Sequence, residues 1–150
     1  MQVLVECEPS AMAFDATACQ ALVLDTNILV GAGFNPRSNS ARLVDAVRER
    51  RLRMIWNAAT RSEAEYILRK IPRLSWDRFA SLFRETDRYP GETAPERFDA
   101  VADPADRKFA ALADAANVVL VTQDAGLIQG LAQTSVAVAT PGEFVRRCGV

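Results

Sequence analysis

Short apolar runs recur along the chain, each too short for a helix, and amphipathic stretches separate them. Ala21 to Leu24, bounded by polar residues and ending at Asp25, reads as a buried strand. Residues 52–56 read as a second strand. Residues 118–121 form an unbroken β-branched and leucine run, hence an interior strand, and 136–139 a last one. Between them, helices are expected over 38–50, with Leu43, Val44 and Val47 at helical spacing, and over 58–71. The second carries Ala64, Ile67, Leu68 and Ile71 on one face and is stopped by Pro72. Ser75 is expected to cap a further helix running to about Arg84. Asp103 followed by Pro104 starts the next, whose buried stripe is Phe109, Leu112, Ala113 and Ala116. Residues 125–132 and 141–147 complete the set. Strands alternating with helices imply an α/β fold: a central parallel sheet with helices on both faces.

A chain of 150 residues suits one domain and buries a substantial core without disulfides or a structural metal. The boundaries read as an N-terminal extension over 1–20, of unassigned role, and a single domain over 21–150. The stretch 87–96 holds Pro90, Gly91 and Pro95 and is a loop inside that domain. About half the residues are apolar (49%), a quarter are charged and the net charge is −1, which excludes a disordered acidic or strongly basic chain.

There is no histidine. That excludes Ser-His-Asp and Cys-His triads, histidine acid–base work and the usual His-containing zinc sites. Cys7, Cys19 and Cys148 are odd in number and scattered, matching neither a disulfide framework nor a zinc motif, so a reducing cytosol is expected. The first twenty residues carry Glu6, Glu8 and Asp15 without a basic start, unlike a signal peptide. No apolar stretch approaches the roughly 18 residues of a membrane span. The expected location is cytoplasmic.

In a parallel sheet the ligand site lies beyond the carboxyl ends of the strands. Asp25 and Asp124 follow strands and belong at that rim. Asp103 and Asp106 open a helix that returns to it, and Glu63 and Glu65 lie early in another. Each also has a local reading: Asp25 and Asp124 as caps, Asp103 as N-cap, Asp106 as a complement to the helix dipole, Glu63 and Glu65 as surface residues. Convergence adds a second requirement, because neighbouring carboxylates repel and raise each other's pKa unless a cation neutralises them. Oxygen-only donors select Mg²⁺ or Mn²⁺. Such a site suits phosphodiester hydrolysis without histidine.

The run Val23-Leu24-Asp25-Thr26-Asn27, then Glu63, then Asp103-Pro104-Ala105-Asp106-Arg107-Lys108-Phe109, then Val121-Thr122-Gln123-Asp124 resembles the PIN domain. In order and spacing it is most similar to the toxin branch of bacterial toxin–antitoxin systems, the VapC-like ribonucleases. The likeness runs from about Ala21 to Phe144 and includes the closing Ala139-Thr140-Pro141-Gly142-Glu143-Phe144. It implies a Mg²⁺- or Mn²⁺-dependent endoribonuclease acting on RNA, a cognate antitoxin that blocks the site, and a homodimer. Asp25, Glu63, Asp106 and Asp124 would then be the catalytic, metal-holding quartet. Asn27 would support Asp25, Thr122 would place a hydroxyl at the edge of the metal pocket, and Asp103 would be an outer acid. Gln123 departs from the small or Asn residue more usual there.

Glu63 is preferred over Glu65 because it lies nearer the helix start and therefore nearer the rim; the family pattern selects it too. A haloacid-dehalogenase-like phosphatase or phosphotransferase would need a second Asp two residues after Asp25, where Asn27 stands. A response-regulator receiver would place its acceptor aspartate mid-domain. A catalytically decayed nucleic-acid-binding module is the remaining alternative. Sixteen arginines stand against only Lys70 and Lys108, a bias that fits phosphate contact as well as a GC-rich genome. Arg48, Arg50, Arg51 and Arg53 form one cluster, and Arg61, Arg69 and Arg73 another beside Glu63; if near the rim, they would contact an RNA backbone.

Overall fold

The computed structural model describes residues 16–150. Four strands and seven α-helices alternate among the described residues: β1 (Ala21–Leu24), α1 (Thr26–Phe34), α2 (Asn39–Arg48), β2 (Arg53–Met54), α3 (Ala58–Arg69), α4 (Asp77–Ala80), α5 (Arg107–Ala116), β3 (Val119–Val121), α6 (Ala125–Leu131), β4 (Val138–Ala139) and α7 (Pro141–Cys148). The strands pair in the order β2-β1-β3-β4, all parallel. Leu22 faces Val119 and Leu24 faces Val121 in the central pair. The α/β reading with one parallel sheet therefore holds.

Both sides of the sheet are covered. Leu22, Leu24, Val119 and Val121 share a core with Leu29 of α1, Leu43 and Val47 of α2, Leu68 of α3 and Phe144 of α7. Val23 and Leu120 point to the other side, against Phe109 and Leu112 of α5 and Leu127 of α6. Strands buried on both faces need no polar alternation, which is why these runs are continuously apolar. Each fully buried Leu or Phe contributes about 1.5–3 kcal/mol.

The strand order reverses direction between β1 and β3, since the chain moves to one side of β1 for β2 and to the other for β3 and β4. This switch point opens a crevice at the carboxyl ends of the two central strands. Asp25 follows β1 there, and its amide donates to the Val121 carbonyl at 3.2 Å.

Several expectations are corrected. Ser75 does not cap a helix: it sits at a positive φ of 60°, and the helix beyond it is the single turn α4, which has no side-chain cap. The strands expected over 52–56 and 136–139 shrink to two residues each, at the two edges of the sheet. On α3 the buried positions are Thr60, Ala64 and Leu68, Ile67 is half-buried, and Ile71, also half-buried, lies beyond the helix end at Arg69. Asp103 caps a 3-10 turn over Pro104–Asp106, and α5 proper begins at Arg107. α1 gives no amphipathic signal because Ile28, Leu29 and Ala32 are buried beside small glycines.

Cys19 and Cys148 form a disulfide, with Cα atoms 5.5 Å apart, where the sequence suggests no pairing. The partners lie 129 residues apart, and only the fold brings the turn before β1 against the end of α7. The pair corrects the expectation that the scattered cysteines form no disulfide. Cys7 and residues 1–15 of the expected extension lie outside the described residues. No described helix is long and apolar enough to cross a membrane.

Candidate active site

Four chain segments bring their acids to the crevice between β1 and β3. Asp25 N-caps α1, its carboxylate accepting the Asn27 amide at 3.2 Å. Asp124 N-caps α6, its Oδ1 accepting the Leu127 amide at 3.0 Å. Asp103 caps the 3-10 turn through the Ala105 amide, and Asp106 ends that turn. The local reading and the convergent one are thus both true of Asp25, Asp124 and Asp103: capping is what fixes each carboxylate at a helix start, and helix starts collect at this rim.

Asp25 is 4% exposed. Thr122, fully buried at the end of β3, donates its hydroxyl to Asp25 Oδ2 at 2.8 Å and accepts the Asp124 amide at 3.0 Å. It is therefore a brace between two acids, deeper than the pocket-edge hydroxyl expected. Asn27 meets Asp25 through its backbone amide, a capping bond that any residue in that position would supply. Gln123 is exposed. Gly126 keeps the Asp124 carboxylate unhindered, for a Cβ there would stand 3.0 Å from Oδ1.

Glu63 and Glu65 part company. Thr26 Oγ1 donates to Glu63 Oε2 at 2.7 Å, and Lys108 Nζ pairs with Glu63 Oε1 at 2.8 Å. The Lys108 ammonium also donates to the Ala105 carbonyl. Glu65 instead pairs along α3 with Arg61 at 3.2 Å and Arg69 at 2.8 Å. Sequence reasoning gave Thr26 and Lys108 no role; the one signal for Lys108 was a lysine two residues after Asp106 in a chain that otherwise uses arginine.

Electrostatics register the convergence. Burial pushes the Asp106 carboxyl up to about 6, with Asp124, Asp103, Asp25 and Glu63 adding in that order. Burial also raises Asp25, against the hydrogen bonds from Thr122 and Asn27, and Glu63 and Asp124 raise it further. The donors are all carboxylate oxygens, which fits a hard divalent cation, and their mutual repulsion is what such a cation would relieve. Among the described residues no three or more Asp, Glu, His or Cys side chains are grouped closely enough to hold a metal ion as they stand.

The first arginine cluster is placed otherwise than expected, while Arg61 and Arg69 lie on α3 with Glu63. Arg50, Arg51 and Arg53 precede or begin β2, at the amino end of the strands and away from the rim. Arg53 pairs with Asp87 at 2.8 Å, and Arg48 donates to the Arg78 carbonyl. Arg73 stacks on Phe34 and Arg61 on Trp76. A cavity of about 400 Å³, lined by Thr17, Asp114, Asn117 and Ala137 among others, also lies at the amino edge and includes none of Asp25, Glu63, Asp103, Asp106 and Asp124.

A family model described as PIN domain matches residues 21–126, from the first residue of β1 into α6. No curated protein and no solved structure matches the chain.

Proposed function

The chain belongs to the PIN-domain family, a family of nucleases, and from that premise we propose that it is a Mg²⁺- or Mn²⁺-dependent endoribonuclease that hydrolyses RNA phosphodiester bonds. The observation that carries this reading is the placement of Asp25, Asp106 and Asp124 at three helix or turn starts beside Glu63, which Thr26 holds at the same switch point of the sheet. These four acids would hold the cation, with Asp103 outside them. The bound cation would supply the Lewis acidity that phosphodiester hydrolysis needs.

The chain's own residues prepare that site. Thr122 fixes Asp25, Thr26 fixes Glu63 and the cap of α6 fixes Asp124. Asp106 makes no side-chain cap bond and is the acid freest to adjust. Three held carboxylates and one adjustable one combine preorganisation with tolerance for a changing ligand sphere.

Motif order and spacing support the narrower proposal that this is the toxin of a toxin–antitoxin pair, acting on cytoplasmic RNA. Phe34 and Tyr66 stay 49% and 63% exposed on the neighbouring helices α1 and α3, beneath Arg73 and Lys70, side chains that an antitoxin or a second copy would cover. The haloacid-dehalogenase reading lacks its second aspartate, Asn27 standing in that position.

The test is cleavage of single-stranded RNA by the purified protein with Mg²⁺ or Mn²⁺. Cleavage that stops with EDTA and in Asp25→Asn supports the reading. No cleavage under any metal would favour the decayed binding module, and full activity in EDTA would sink the metal site. Co-purification with the product of a neighbouring small gene would decide the toxin assignment.

A further inference from the structure

Both oxygens of Glu63 are already engaged, one by the Thr26 hydroxyl and one by the Lys108 ammonium. The two partners differ in what they leave for a cation. A hydroxyl occupies one lone pair of its oxygen and leaves the other free. An ammonium sets a full positive charge against the same group, so a divalent cation and Lys108 compete for Glu63.

Lys108 is well held in this position. The Ala105 carbonyl accepts a second bond from it, the Phe109 ring lies 5.5 Å away, and the side chains of Lys108 and Glu63 are each only 21% exposed. Partial burial reduces screening, which makes this ammonium the resident counter-charge of the rim. An arginine here would grip the carboxylate with two parallel bonds. A lysine, a single point charge on a flexible stem, releases more readily.

Resting on the nuclease reading above, we propose that Lys108 is an exchangeable counter-ion. It holds Glu63 while no cation is bound, yields that carboxylate to the divalent cation, and turns to a non-bridging phosphate oxygen of the RNA. The same charge would serve the folded protein before metal binding and the substrate after it.

The experiment compares wild type, Lys108→Met and Lys108→Arg by calorimetric titration with Mn²⁺, by thermal melting with and without Mn²⁺, and by single-turnover RNA cleavage at saturating Mn²⁺. Removing the competitor should tighten Mn²⁺ binding by about tenfold. Lys108→Met should also melt below wild type without metal and gain more from Mn²⁺. Once saturated it should cleave about 10²-fold more slowly, as for loss of one donor to a reacting oxyanion. Lys108→Arg should bind Mn²⁺ more weakly than wild type.

Unchanged or weaker Mn²⁺ binding by Lys108→Met would overturn the exchange, because a lysine that merely preorganises Glu63 predicts that result. Wild-type cleavage by saturated Lys108→Met would overturn the phosphate contact. If Lys108→Met fails to fold, Lys108→Gln carries the same test. A wild-type protein that neither binds Mn²⁺ nor cleaves RNA would overturn the nuclease reading and the counter-ion role together, whereas the first two outcomes leave that reading standing.

Discussion

Thr122 donates its hydroxyl to Asp25 at 2.8 Å across 97 positions of sequence. The same oxygen accepts the Asp124 amide at 3.0 Å, so one buried side chain sets the spacing of two acids from neighbouring strands. Thr122→Val keeps the shape and removes both bonds. The expected cost is about 1–3 kcal/mol, for buried partners left unpaired, with a cleavage rate lowered at least tenfold as Asp25 and Asp124 lose register. Thr122→Ser should restore most of both. Urea denaturation and RNA cleavage of the two variants check this, and a fully active Val variant would show that the brace is dispensable.

Glu63 and Glu65 lie two positions apart and should behave oppositely. Glu63→Gln removes the carboxylate that Thr26 and Lys108 hold at the rim, and cleavage should fall by orders of magnitude. Glu65→Gln breaks only ion pairs with Arg61 and Arg69 on the helix surface. It should cost less than about 1 kcal/mol and leave the cleavage rate near wild type. Parallel rate measurements decide, and the reverse ranking would move the site onto Glu65.

Stability without divalent ions should fall as pH rises through the range set by Asp106. Its carboxyl stands at about 6 in the fold against an ordinary 3.8, so the folded state holds the proton more tightly than the unfolded chain. This stabilisation is complete below about pH 3.8 and is lost as pH climbs through about 6. The raised Asp25 acts in the same direction. Melting temperature measured across this range should fall less in Asp106→Asn than in wild type, and Mg²⁺ or Mn²⁺ should flatten the wild-type profile. Identical slopes for the two proteins would contradict the assignment.

Reduction of Cys19–Cys148 should lower stability while sparing the chemistry. Closing so long a loop is worth at most about 4–5 kcal/mol by chain entropy. The bond joins the turn before β1 to the end of α7, at the sheet edge opposite the acids. Melting curves of the protein in dithiothreitol and of Cys148→Ser should both shift down relative to the unreduced protein. Cleavage rates well below the melting point should not change; a large loss would show that the clasp positions the rim.

The sheet was legible because its central strands are buried on both faces, so Leu22 to Leu24 and Val119 to Val121 stand out as unbroken apolar runs. The convergence of Asp25, Asp106 and Asp124 was legible too, since parallel topology alone sends strand ends and helix starts to one rim. α1 was not, because a helix with glycines and apolar residues on several sides has no stripe to read. Lys108 and the disulfide were hidden for a different reason. Both depend on contacts between residues 45 and 129 positions apart, and no local pattern encodes which distant partner a side chain meets.

The disulfide also makes the backbone from Cys19 to Cys148 a closed ring. A protease that nicks the exposed segment at Pro90, Gly91 or Glu92 would open that ring without releasing a fragment. The cut separates Asp25 and Glu63 on one piece from Asp106 and Asp124 on the other, yet the pieces stay covalently joined and migrate as one species until a reductant is added. A nicked molecule therefore still carries all four acids on a single covalent assembly, and reduction becomes the event that allows the two halves of the site to part.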